Sequence, residues 1–246
     1  MRTYAIGDIH GHLDKLEAAH RLIAADRVET GDAEAPVVHI GDLVDRGPDS
    51  RGVIDYLMRG IAGGAPWVAL KGNHDRMFAG FLDDPDNHDP GLREGLHWID
   101  PRLGGGTTLA SYGVDGVGER LLIDLHEEAL AAVPRTHVAF LDGLKLLFRR
   151  GAALFVHAGI RPGVPLERQT EDDLLWIRRV FLDDTRDHGM LIVHGHTPVD
   201  AASHYGNRLN IDTGAGYGRS LTAVVIEGDL VWQLDEGGRT PILPPG

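Results

Sequence analysis

Five short apolar runs in this chain each stop at a cluster of glycine, aspartate, asparagine or histidine. They are TYAI before GDIHG, VVHI before GDLVDRG, WVAL before KGNHD, ALFV before HAG, and LIV before HGHT. Runs this short, rich in Val, Ile and Leu and closed by turn residues, predict strands buried on both faces. Buried strands do not normally end in so many charges. GDLVDRG (41–47) alone packs two aspartates, an arginine and two glycines into seven positions.

Helical spacing separates the early runs. Leu13, Leu16, Leu22 and Ile23 predict a helix over 12–25, and Val53, Ile54, Leu57, Met58 and Ile61 predict one over 49–61, with Pro48 suited to its first position. Strand and helix in alternation imply βαβ crossovers and a sheet that starts parallel. The middle of the chain, about 76–145, reads differently. It carries an acidic loop (DDPDNHDPG, 83–91), a glycine run (104–106) and a helical stretch (121–133) halted by Pro134. We read it as a helical insertion packed on the sheet, within one domain spanning 1–246. From about 190 the pattern returns to strands (MLIVHG, RLNIDTG, SLTAVVIE, LVWQL), with Gly228-Asp229 as a hairpin turn and an extended tail, PILPPG.

Ligands in open α/β sheets collect beyond the carboxyl ends of the strands. The five strand ends would bring Asp8 and His10, Asp42, Asn73 and His74, His157, and His196 to that edge. Asp8 and His10 lie two apart, so an extended backbone turns both to one side. Oxygen and imidazole donors without thiolate suit manganese, iron or zinc better than calcium or cuprous copper. Six ligands drawn from these seven residues exceed one tetrahedral ion and suit two metals sharing a bridging carboxylate. Taken singly, Gly-Asp after a strand is a turn and GNHD a helix cap. Five separate strand ends with the same donor chemistry are not obtained from turns.

Composition excludes several alternatives. The chain has no cysteine, so disulfides, thiolate zinc sites and cysteine nucleophiles are absent. No apolar run approaches membrane-spanning length. The first strand begins almost at Met1 and leaves no room for a leader, which places the protein in the cytoplasm as an expectation. A formal net charge of −13 without a basic stripe argues against nucleic acid as a partner.

The motifs GDIHG (7–11), GDLVDRG (41–47), GNHD (72–75), HAG (157–159) and HGHT (194–197) together resemble the phosphoprotein phosphatase family of calcineurin-like metallophosphoesterases. GGGTTLASYG (104–113) and DLLWIRRVFL (173–182) look like its bacterial members. The resemblance implies an αββα sandwich around two divalent metal ions, manganese first, with iron or zinc as alternatives. It implies that Asp8 and His10 hold the first metal, that Asn73, His157 and His196 hold the second, and that Asp42 bridges them. By the same resemblance Arg46 and Arg178, with Asn73, face the phosphate, and His74, oriented by Asp45, protonates the leaving oxygen. His194 matches no ligand of the family and is expected to be structural or to support one.

A dianionic ester repels hydroxide, so the site must supply positive charge, and two metals a few ångströms apart do so while activating water. Guanidinium forks match phosphate bidentately. The expected reaction is phosphate monoester hydrolysis by direct attack of a hydroxide held at the metals, on a phosphoprotein or small phosphoester. Asp45 is the protein-phosphatase form of GDLVDRG, where symmetrical dinucleoside tetraphosphate hydrolases often carry alanine. Asp75, where eukaryotic protein phosphatases have glutamate, and HAGI (157–160) pull toward the dinucleotide hydrolases, the alternative reading. A silent binding module is disfavoured by the intact ligand set, and a nuclease by the acidic charge.

Overall fold

A computed structural model describes residues 1–245 of the chain. The first half follows the expected alternation: β1 (Arg2–Ile6), α1 (Leu13–Thr30), β2 (Val37–His39), α2 (Ser50–Ala62), β3 (Trp67–Ala69) and α3 (Asn73–Asp83). β1, β2 and β3 pair in parallel. α1 runs beyond the expected end at Ala25, because Asp26 in its last turns is buried and accepts hydrogen bonds from Tyr4 (2.7 Å) and Arg239. At α2 the expectation for Pro48 is corrected. Asp49 is the N-cap, its side chain accepting the Gly52 amide, so the proline stands outside the helix.

The middle contains α4 (Gly105–Ser111), α5 (Leu122–Ala132) and α6 (Arg135–Asp142). Pro134 follows the end of α5 and also caps α6, since its fixed φ suits a helix start. The second half supplies β4 (Leu147–Arg150), β5 (Ala153–Val156), α7 (Glu171–Trp176), α8 (Arg179–Leu182), β6 (Leu191–His194), β7 (Ser203–His204), β8 (Arg208–Asn210), β9 (Ala223–Glu227), β10 (Leu230–Asp235) and β11 (Gly238–Pro241). Gly228-Asp229 joins the antiparallel pair β9 and β10 as expected. The tail is strand as far as Pro241, and Gly246 lies outside the described residues.

The strands form two mixed sheets, ordered β11-β10-β9-β1-β2-β3 and β4-β5-β6-β8-β7. Strand periodicity explains the layering. In β1, Tyr4 and Ile6 pack into the core shared with α1 and α2, while Ala5 points to the core between the sheets. In β5, Phe155 joins that inter-sheet core, while Leu154 and Val156 face the cluster under α7 and α8. Helices therefore cover both outer faces, and the architecture is an αββα sandwich. β1, β2 and β5 are buried on both sides, as their unbroken apolar runs predict, whereas β3, at the edge of its sheet, leaves Trp67 and Val68 only partly buried. No helix among the described residues is long and apolar enough to cross a membrane.

Candidate active site

The loops after β1, β2, β3, β5 and β6 converge at one end of the two sheets. Within them the backbone does what it does nowhere else among the described residues. His10, Asp42, Asp45, Arg46 and His196 are the non-glycine residues with positive φ, between 48° and 74°. Such conformations cost on the order of 1–3 kcal/mol each and persist where surrounding contacts over-determine them. Gly41 shows how tight the packing is. It has φ 99°, and a Cβ there would lie 2.6 Å from the Gly72 amide nitrogen, so the GDLVDRG and GNHD loops meet backbone to backbone. Asp75 locks the same junction, its carboxylate accepting the amides of Gly72 (2.7 Å) and Leu43 (2.9 Å).

Two groups of buried donors share Asp42. One is His10, Asp42 and His74; the other is Asp42, His157 and His196. The hydrogen bonds fix the tautomers. His10 Nδ1 donates to the Val44 carbonyl and His157 Nδ1 to the Ile40 carbonyl, each at 3.0 Å, which leaves each Nε2 bare and turned inward. His157 Nε2 then faces Asn73 Oδ1 at 2.9 Å and Asp42 Oδ1 at 3.4 Å, all acceptors. His196 Nδ1 reaches the same Asn73 oxygen at 2.9 Å, while its Nε2 is buried without a partner. Asp8 accepts the His196 amide through Oδ2 (3.0 Å), and its buried Oδ1 has no partner. Its carboxylate belongs to neither group of close donors, although it lines the same cavity. Acceptors converging on acceptors, with orphaned atoms beside them, fit divalent cations.

The electrostatics agree. Burial pushes Asp8 well above the usual carboxylate range, and the charges of Asp212 and Asp42 add to it. Burial would also raise Asp42, but the imidazoles around it, His157 foremost, hold it low. Burial keeps His10, His157 and His196 below the ordinary imidazole value. Neutral imidazole is the form that binds a metal, and a proton on a buried carboxylate is displaced when one binds.

His74 completes the cavity. Its Nδ1 lies 2.6 Å from Asp45 Oδ2, and its Nε2 faces the Arg46 guanidinium at 3.0 Å. Arg46 also contacts His10 Nε2 and stacks over Tyr217, 4.6 Å from the ring centre. Arg178, exposed at the rim, touches Thr197 Oγ1 at 3.2 Å. Neither arginine is paired with a carboxylate among the described residues, so neither charge is neutralised by an ion pair. His194 lies behind the cavity, edge-on to Phe181 (5.1 Å) and 3.4 Å from Arg208. Burial lowers it to about 3, so it stays neutral and supports the strand end.

Three features of the site are missing from the sequence reading. Asp212, nearly buried, lines the cavity and is raised by burial to about 6. Its signal was present: NIDTG is another apolar strand ending in aspartate and glycine. Arg102 adds a third guanidinium to the wall, paired with Asp100 at 2.6 Å. Trp98 and Thr108 bind Asp45 from the middle of the chain.

Residues 1–229 match the calcineurin-like phosphoesterase family. The chain belongs to that family. This phosphoesterase is 28% identical to a bis(5'-nucleosyl)-tetraphosphatase PrpE (asymmetrical) of Geobacillus thermodenitrificans, over 91% of its own chain and 90% of the relative. It is 26% identical to a serine/threonine-protein phosphatase 1 of Salmonella typhimurium, over 92% of both. Among solved structures it superposes on a putative diadenosine tetraphosphatase with a TM-score of 0.64, at 21% identity and covering 98% and 94% of the two chains. A mutant cold-active protein tyrosine phosphatase gives 0.66 at 17% identity, covering 98% and 80%. The phosphoesterase is thus an enzyme, a hydrolase of phosphoric esters in a family that uses divalent metals.

Proposed function

We propose that this phosphoesterase hydrolyses phosphate monoesters of the protein-phosphatase type at a centre of two divalent ions. Asp8, His10 and Asp42 would hold one ion, and Asp42, Asn73, His157 and His196 would hold the other. Manganese is the first candidate, ahead of iron or zinc, because the donors are oxygen and imidazole only. Bound there, the ions would supply positive charge against the ester dianion and lower the pKa of a coordinated water.

The chain's own residues account for the rest. The cavity is lined by no serine, threonine or cysteine, so the attacking oxygen comes from water. Arg46 and Arg178, reaching in from opposite loops, clamp the phosphate oxygens and set the ester in line. His74 Nε2 faces the same space and passes a proton to the leaving oxygen, general acid catalysis worth about 10²–10⁴-fold. Asp45 accepts from Nδ1 at 2.6 Å, so the proton to be given is the one on Nε2 of the doubly protonated ring.

The observation that carries the reading is the His74–Asp45 pair set beside two donor groups that share Asp42. Cavity size favours a small head group. At about 230 Å³ it falls below the roughly 300–1,000 Å³ of sites that engulf whole ligands. A dinucleoside polyphosphate is the second reading. The names of several relatives and the third arginine, Arg102, favour it. Turnover of a phosphoserine peptide, a phosphotyrosine peptide and diadenosine tetraphosphate by one Mn²⁺-loaded preparation separates them. Preference for a phosphopeptide supports the first reading, and preference for the tetraphosphate replaces it with the second.

A further inference from the structure

The loop GDLVDRG is gripped from a part of the chain to which no role in the chemistry has been given. Thr108, in α4, donates from Oγ1 to Asp45 Oδ1 at 2.7 Å and accepts the Asp45 amide at 2.9 Å. Ser50 Oγ, 2.9 Å from Thr108 Oγ1, completes that hydroxyl. Trp98 donates its indole N–H to Asp45 Oδ2 at 2.8 Å, the oxygen that also takes His74 Nδ1. Asp45, Trp98 and Thr108 are all buried, with at most 2% of any of them exposed. The backbone joins in. Gly104 accepts the Arg46 amide at 3.3 Å, and a Cβ on Gly104 would lie 2.5 Å from that nitrogen.

We infer that Trp98 and Thr108 are positioning residues for the His74–Asp45 pair, so that the segment 98–108 belongs to the catalytic apparatus. The physical reason is rotational. A carboxylate bound through one oxygen can swing about its Cβ–Cγ bond. Here each oxygen of Asp45 has its own donor from the middle segment, and the remaining lone pair of Oδ2 is aimed at His74. Thr108 also holds the amide of Asp45, whose φ of 74° would otherwise relax. The imidazole is thereby kept pointing Nε2 into the cavity. A buried network of this kind is worth keeping only when every member is satisfied, and every polar atom of this one is.

The inference rests on His74 acting as the general acid, and its test separates the two claims. Turnover at saturating Mn²⁺ is measured on 4-nitrophenyl phosphate and on an alkyl phosphate, for wild type, His74→Asn, Trp98→Phe, Thr108→Val and Thr108→Ser. Loss of either donor should lower kcat on the alkyl ester about tenfold more than on the nitrophenyl ester, with KM little changed. Thr108→Ser, which keeps the hydroxyl, should recover most of that loss. A purely structural role would lower the active fraction and reduce both rates alike. Equal losses in the Trp98 and Thr108 variants, with His74→Asn still selective, overturn the inference and leave the reading of His74 standing. Equal losses in His74→Asn overturn both. Thr108→Val and Thr108→Ser decide the matter by themselves if Trp98→Phe does not fold.

Discussion

Nε2 of His157 lies 2.9 Å from Oδ1 of Asn73, and neither atom has a hydrogen to give, because His157 spends its ring proton on the Ile40 carbonyl. A cation between them removes the conflict. Asn73→Ala should therefore weaken Mn²⁺ binding by more than the roughly 10–100-fold typical of a residue that only supports a ligand. Calorimetric titration reads this directly, and unchanged affinity would take Asn73 out of the ligand set.

Asp75 is predicted to matter for the junction of two loops more than for charge. It accepts two buried amides, one from each loop. Asp75→Ala leaves both donors unsatisfied and should cost on the order of 2–4 kcal/mol of unfolding free energy. Denaturant melts check the stability, and an effect below about 0.5 kcal/mol would contradict the account.

Acid should destabilise the metal-free protein. His20 and His39 face each other at 3.0 Å, and burial lowers them to about 2 and about 4. A histidine depressed in the folded state binds more protons when unfolded, so its contribution to stability is complete above about pH 6.5 and falls as pH drops toward the folded value. His10, His157, His194 and His196 act in the same direction. Asp8, Asp75 and Asp212, raised by burial, act in the opposite one, and they are fewer. The melting temperature in chelator should fall between pH 7 and pH 5. A flat or rising profile would show that the carboxylates dominate.

Arg178 carries no carboxylate partner and stands at the rim, just before the short helix α8. Arg178→Ala should weaken inhibition by inorganic phosphate about tenfold without changing metal affinity. If inhibition is unchanged, Arg102 or Arg179 holds the anion instead.

Much of this site could be read in the sequence because each proposed ligand follows a buried strand. Asp8, His10, Asp42, Asn73, His157 and His196 are announced by an apolar run before and a glycine within two residues, and strand geometry carries them to one edge. Their neighbours have no such signal. Trp98 sits in a turn-rich stretch, and Thr108 lies in a seven-residue helix too short to show a period. That they reach Asp45 depends on how the middle segment packs, which local pattern does not encode. β4 carries no strand signal for a related reason, since LFRR places arginines where a buried strand would show apolar residues. Asp212 differs, because its strand end, NIDTG, has the same pattern as the others.

Two ions are proposed to share Asp42. Metal-stripped protein titrated with Mn²⁺, followed by calorimetry and by the signal of bound manganese, should take up two ions per chain. Asp42→Asn should abolish the coupling between them and lose at least one. Uptake of a single ion by the wild type, or undiminished two-ion binding by Asp42→Asn, would contradict the account.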